Sequence, residues 1–193
     1  MNMKFDVYFH NDFDGRASVA VFLDFLKQQG DEIENYFQVD HWIGNGWEKL
    51  VGQSKNPFAV FDFYFHPKAT FFFDHHATTF KKKAWEENFK RSKFHHLGID
   101  YKSCCQLVFD TLKKNFGYKP GAHIKELVKW AEIIDAADYS SPHQTIKLNE
   151  PALELDAYID GMSDKESLAW LIKLMSEKSL REIVELRKVQ KVL

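Results

Sequence analysis

Three groups of potential cation ligands stand out along the chain: His10-Asn11-Asp12-Phe13-Asp14-Gly15, then Asp62, then Asp74-His75-His76. Each closes an apolar run, KFDVYF at 4–9, FAVFDF at 58–63 and TFFF at 70–73. Taken singly they say little. An Asp after a strand is usually a turn residue or a helix N-cap, and Asp14 before Gly15 fits that description. A His-His pair is equally weak, and His95-His96 reads as loop. The combination is what carries information, because a fortuitous set would scatter among strand starts, helix faces and loops. Carboxylates and imidazoles gathered at one place repel one another unless a cation sits among them. A mixed oxygen and nitrogen set suits Mn²⁺, Fe²⁺, Zn²⁺ or Co²⁺, whereas pure oxygen sets suit Mg²⁺ or Ca²⁺ better.

Such a gathering requires the apolar runs to be neighbouring parallel strands. The pattern agrees. Lys4–Phe9 is rich in β-formers, and apolar residues recur at helical spacing over Arg16–Gln29 until Gly30. Tyr36–Val39, Phe58–Phe63 and Thr70–Phe73 follow as strands, the last two apolar enough for burial on both faces. Residues 78–93 are polar and basic, a loop or exposed helix. Ser103 is the N-cap of a helix through Phe116, stopped by Gly117, and His123–Ala137 forms another that stops near Ser140-Ser141-Pro142. From about Glu150 the chain reads as helices, the last being Ser179–Leu193 with one apolar face. Alternating strands and helices predict an α/β fold, a parallel sheet with helices on both faces and a helical C-terminal part. In such sheets ligands bind at the carboxyl ends of the strands, where the three groups fall.

Composition narrows the partners. A net charge of -2 gives no global support for wrapping duplex nucleic acid. The only cysteines are the adjacent Cys104 and Cys105, which make neither a useful disulfide nor a four-ligand zinc site and read as small buried helix residues. No signal-peptide pattern opens the chain and no apolar run would span a bilayer, so the expected location is cytoplasmic, away from membranes. Phe is abundant, at 18 residues, which predicts an aromatic core.

His10-x-Asp12-x-Asp14-Gly15, Asp62, Asp74-His75-His76 and the helical WAEIIDAAD at 130–138 resemble, in order and spacing, the four motifs of the DHH phosphoesterase superfamily. That superfamily includes RecJ exonucleases, nano-RNA phosphatases, exopolyphosphatases and family II pyrophosphatases. The resemblance covers residues 4 to about 140. It implies a DHH-type catalytic domain over 1–145 and, over 146–193, a helical extension or linker toward a second domain. It also implies two Mn²⁺ ions, with Mg²⁺ or Co²⁺ as substitutes. His10, Asp12 and Asp62 would hold one ion, and Asp14, Asp62, His75 and Asp135 the other. Asp62 would bridge, Asp74 would orient His75, and His76 would touch the substrate phosphate; Asp62, Asp74 and His76 are thus the catalytic set. The gap between His10 and Asp12 is two residues, as in an HxDxDG subgroup, where many members have four. Spacing alone does not choose between Asp135 and Asp138, three apart on a helix; Asp135 is preferred.

The implied activity is hydrolysis of phosphoester bonds in short oligonucleotides or small nucleotides by a metal-activated water. A small-phosphate phosphatase or pyrophosphatase, and a non-catalytic metal- or nucleotide-binding regulatory module, are the alternatives. Lys81-Lys82-Lys83 with Lys90, Arg91 and Lys93 would be a solvated loop or a phosphate-steering patch, with Trp85 and Phe89 available to stack on a base. Trp42 and Trp47 read as packing residues. The oligomeric state stays open, a dimer included.

Overall fold

The computed structural model describes residues 2–44, 46–141, 143–144, 149–161 and 167–190. Its strands are β1 (Lys4–His10), β2 (Glu32–Val39), β3 (Phe58–Phe61), β4 (Phe71–Asp74) and β5 (His95–Leu97). Its helices are α1 (Phe13–Gln29), α2 (Gly46–Val51), α3 (Lys83–Asn88), α4 (Cys104–Phe116), α5 (Ala122–Asp135), α6 (Pro151–Gly161), α7 (Ser167–Glu177), α8 (Leu180–Val184) and α9 (Arg187–Gln190). The strands form one sheet in the order β2-β1-β3-β4-β5, and every pairing is parallel. The chain leaves β1 to one side for β2 and returns on its other side for β3. The switch point between β1 and β3 is where a doubly wound sheet opens a crevice.

Successive side chains point to opposite faces of a strand, and both faces are covered. Phe5, Val7 and Phe9 of β1, with Ala59, Phe61, Phe71 and Phe73, join α1, α4, α5 and the helices after 150 in one core. Tyr8, Phe58, Val60 and Phe72 face the other way, into a smaller core with Trp47, Val51, Phe63 and Phe65. Double-sided burial explains why β3 and β4 are continuous apolar runs rather than alternating ones. The abundant phenylalanines line both cores, as in the edge-to-face pairs Phe5–Phe22 and Phe65–Phe72.

Several boundaries move from their expected places. Helix α1 begins at Phe13 rather than Arg16, because Asp12 caps it: its Oδ1 accepts from Gly15 N at 2.8 Å. Strand β2 begins at Glu32 rather than Tyr36; it is an edge strand whose first half is polar, so ladder bonds to β1 and not an apolar pattern extend it. Strand β3 stops at Phe61, since Asp62 turns to φ 55°. The helix expected through Ala137 ends at Asp135, with Ala137 at φ 50°. Of its expected stop, Pro142 lies outside the described residues, as do the 145/146 boundary and residues 191–193. The single helix expected from Ser179 is two, α8 and α9, with a turn at Glu185-Leu186 that lets Leu180, Ile183, Val184 and Val189 all reach the large core.

The largest correction is β5. His95-His96 is not loop but the edge strand beyond β4, with Phe72 N donating to Phe94 O at 2.8 Å. His96 is 8% exposed, and its Nδ1 meets Thr111 Oγ1 at 3.1 Å. Burial, with the nearby charges of Arg91 and Lys114, holds its pKa at about 4. The folded value lies below the unfolded one of about 6.5, so the unfolded chain binds the proton more tightly, and stability is lost as pH falls through that window. Urea melts at about pH 7 and pH 4.5 should show His96→Gln losing roughly 2 kcal/mol less on acidification than the wild type.

Candidate metal centre

The loop between β1 and α1 is set by two local devices. Asp12 caps the helix, and Gly15 lets it start directly beneath the strand end. A Cβ on Gly15 would lie 2.2 Å from His10 O, a backbone atom that cannot swing away. Gly15→Ala should therefore displace the His10–Asp14 loop and destabilise the fold by about 3 kcal/mol, which a chemical melt reads.

Asp14 projects from the first turn of α1 toward the start of α4. Its Oδ2 accepts from Cys104 N at 2.7 Å and its Oδ1 from Cys105 N at 2.9 Å. Ser103 caps α4 through Gln106 N, so the first turn of that helix presents its free N–H groups to a buried carboxylate. The cysteines are fully buried, as small residues must be where a helix end meets the β4 backbone; Cys104 Sγ sits 3.2 Å from Phe73 O.

Asp62 occupies the middle. Its N–H donates to Phe73 O at 2.9 Å, which holds the left-handed backbone that turns its side chain into the crevice. The carboxylate is 1% exposed, and among the described residues neither oxygen has a hydrogen-bond partner. Around it stand His75 Nε2 at 3.4 Å, His76 Nδ1 at 3.4 Å and His10 Nδ1 at 3.7 Å. His10 Nδ1 also contacts Asp12 Oδ2. His75 Nε2 lies 3.2 Å from Asp135 Oδ2 and 3.9 Å from Asp14 Oδ2, and it too makes no hydrogen bond. Three sets of donor atoms lie within 4.8 Å of one another: His10/Asp12/Asp62, Asp14/His75/Asp135 and Asp62/His75/His76.

Burial first, and then neighbouring carboxylates, push Asp14 and Asp62 well above the usual carboxylate range. Asp135 is raised too, chiefly by burial. A buried Asp62 with no hydrogen bond, set among other acids and three imidazole nitrogens, is a poor arrangement for a bare protein and a good one around divalent cations. The residues present fit the two-ion set implied by the sequence resemblance.

All the expected residues, His10, Asp12, Asp14, Asp62, Asp74, His75, His76 and Asp135, come together at the carboxyl edge of the sheet. Asp138 does not: it follows the left-handed Ala137, is largely exposed and pairs with Lys102 at 2.7 Å. One detail is corrected. Asp74 was expected to orient His75, yet its Oδ1 takes the ring of His76 at 2.9 Å and reaches His75 only through the backbone N at 2.8 Å. The ring of His75 is held instead by Tyr101 O, 3.1 Å from Nδ1. The reason is local: two residues along a tight turn bring His76 Nδ1 back over Asp74, while His75 points across to the loop before α4.

Three contributors escaped the sequence reading. Tyr101 acts through its carbonyl, which leaves no signal in residue type. Arg16 is 2% exposed, donates from Nη2 to Asn11 Oδ1 at 2.5 Å, and is lowered to about 10 by burial. His41 follows β2 as the other groups follow their strands, and the same rule could have found it; its ring lies 4.7 Å from that of His10 and 6.4 Å from that of His76. The basic segment is mostly engaged elsewhere. Lys82 pairs with Glu48 and Lys83 with Glu87, while Trp85 and Phe89 pack on the smaller core rather than standing free for a base. Lys81 alone of the three leans toward the site, over the Tyr64 ring at 3.9 Å, and Tyr64 Oη meets His41 Nδ1 at 3.2 Å. Trp47 is core, as expected, but Trp42 is 92% exposed.

No family model matches the chain, and no curated protein matches it in sequence. Solved structures do match. An uncharacterized protein from Helicobacter pylori superposes with a TM-score of 0.62 at 18% identity, over 97% of this chain and 59% of that one. RecJ in complex with Mn²⁺ from Thermus thermophilus gives 0.52 at 14% identity, over 98% and 34% respectively. An exonuclease RecJ bound to manganese gives 0.51 at 11%, over 98% and 60%. The chain thus shares the α/β fold seen in RecJ, the fold class that the sequence pattern predicts. It spans between about a third and three-fifths of these proteins' lengths.

Proposed function

We propose that the chain carries the catalytic centre of a phosphoesterase that hydrolyses short oligonucleotides or small nucleotides with two Mn²⁺ ions. The observation behind this reading is the Asp62 carboxylate, buried and without a hydrogen bond, which belongs both to the His10/Asp12/Asp62 set and to the Asp62/His75/His76 set and lies 3.4 Å from the His75 Nε2 that also joins Asp14 and Asp135. His10, Asp12 and Asp62 would hold one ion; Asp14, Asp62, His75 and Asp135 the other. Such a pair, when bound, supplies Lewis acidity toward phosphoryl oxygens and a water of lowered pKa.

The chain's own groups do the rest. Tyr101 O fixes the ring of His75 so that Nε2 faces the acids. Asp74 accepts from His76 Nδ1, which leaves the other ring nitrogen for the substrate. That hydrogen bond, the largest influence on His76, raises its pKa and favours an imidazolium able to donate to a phosphoryl or leaving oxygen. The His76 side chain is 43% exposed, so a substrate reaches it without opening the fold.

Turnover with Mn²⁺ on a dinucleotide, a 5′-mononucleotide and pyrophosphate tests the reading. Release of mononucleotide from the dinucleotide should dominate. Faster pyrophosphate cleavage would favour the small-phosphate alternative; two bound ions with no turnover of any phosphoester would leave a binding module. Lys81→Ser should raise KM for an oligonucleotide about 2- to 5-fold with kcat unchanged, and less so in high salt, whereas Lys82→Ser and Lys83→Ser should change little.

A further inference from the structure

Away from the metal centre, on the flank where β5 meets α4, a cavity of about 380 Å³ is lined by Arg91, Lys93, His96, Tyr101, Thr111 and Lys114, among others. Three of these six side chains are cations. None has a carboxylate within ion-pair distance among the described residues; Lys93 instead rides 5.0 Å over the Phe94 ring and 5.2 Å over that of Phe116. Asp110, the one acid on the wall, belongs to Tyr101: burial and then the Asp110 charge push that phenol up. The loop bearing Arg91 and Lys93 is tied down by Ser92, whose Oγ accepts from Phe94 N at 3.2 Å and His95 N at 3.1 Å.

The floor of the cavity supplies the second observation. His96 is more than nine-tenths buried, its Nδ1 is engaged by Thr111, and its Nε2 has no partner. With its pKa held at about 4, the ring is neutral near pH 7. If Thr111 donates to Nδ1, Nε2 carries the proton and is a donor without an acceptor. A neutral donor ringed by unpaired cations suits an anion, and a buried polar atom left unmade is costly enough to call for one.

We propose that this cavity binds a phosphoryl group, as free phosphate or as the terminal monoester of a nucleotide. Its guanidinium and ammonium groups would take the oxygens, with His96 Nε2 donating from below. Nothing here depends on the catalytic reading, because none of the proposed metal ligands lines the cavity. The two places do share Tyr101, whose ring walls the cavity and whose carbonyl holds His75.

The test is a phosphate titration of the full chain loaded with Mg²⁺, followed by NMR at the His96 ring nitrogens and the Thr111 amide. Those local reporters separate this site from phosphate bound at the metal centre. Millimolar phosphate should shift both, and Arg91→Gln/Lys114→Gln, at two exposed positions, should weaken the response on the order of 10-fold. A dinucleotide with and without a 5′-phosphate distinguishes the sources: a shift from phosphate assigns the free ion, and one confined to the phosphorylated dinucleotide assigns the monoester. No shift from any probe, an equal shift from the unphosphorylated dinucleotide, or a response unchanged in the double variant would overturn the proposal.

Discussion

Asp62→Asn is expected to abolish Mn²⁺-dependent turnover, by about 10³-fold or more, while leaving a metal-free protein that is more stable than the wild type. The two effects have one cause. Asp62 belongs to two of the three donor sets, with His10 and Asp12 and with His75 and His76, so its loss would remove a ligand from each proposed ion and with them the charge that would offset the developing phosphoryl anion. In the chelated protein the same carboxylate is buried, without a hydrogen bond and close to other acids, an arrangement that costs several kcal/mol when ionised. Asparagine keeps the shape and removes the charge. The pH sign follows. Burial holds Asp62 above its unfolded pKa, so its contribution to metal-free stability is intact below the ordinary carboxylate range and is lost as pH rises through it. Asp62→Asn should flatten that loss. Mn²⁺ at about 100 times its dissociation constant adds roughly 2.7 kcal/mol to the wild type, which is about 5–10 °C in Tm for a chain of this size. Calorimetry of both proteins with Mn²⁺ and with chelator decides the matter: a wild-type Mn²⁺ shift in Asp62→Asn would remove the bridging role.

Strong local signals account for what was readable beforehand. Strands β1, β3 and β4 are apolar runs that end in acids or imidazoles, and a parallel sheet brings such ends to one edge whatever the loops do. Hence the pattern alone implies that seven residues from three distant segments come together. What stayed hidden was set by tertiary context. Strand β5 is three residues, His95–Leu97, with no β-pattern of its own; it exists because the β4 edge offers Phe72 N to the chain passing beside it. Trp42 and Trp47 share a glycine-containing segment without periodicity, yet one is 92% exposed and the other 1%. The partner of each DHH imidazole depends on backbone direction after β4, which residue types do not encode. Arg16 falls on a helical face that looks ordinary in sequence, because α1 is buried on nearly every side and its apolar pattern says little about which side meets the site.

The fourth motif shows the same limit most sharply, and it yields the second large effect. By spacing, Asp135 and Asp138 are equivalent: three residues apart, both would fall on one face of a continuing helix. The chain breaks that equivalence at Ala137, whose φ of 50° ends α5 as Asp138 N returns to Ile133 O at 2.9 Å. No residue type in Ala136-Ala137-Asp138 announces a left-handed alanine. Asp135, the last residue of α5, therefore faces His75 at 3.2 Å, and Asp138 swings out to Lys102 with 63% of its side chain exposed. Asp135→Ala should lower kcat/KM by about 10² to 10³-fold and weaken the binding of one Mn²⁺, since it removes a proposed ligand and leaves His75 without its nearest acid. Asp138→Ala gives up an exposed ion pair worth at most about 1 kcal/mol of stability and should keep activity within about 2-fold. Asp135→Asn separates charge from packing: it should retain the melting temperature yet lose turnover as the alanine variant does. Full activity in Asp135→Ala, or a deeper loss in Asp138→Ala, would mean that α5 extends to the site by another turn and that Asp138 is the ligand.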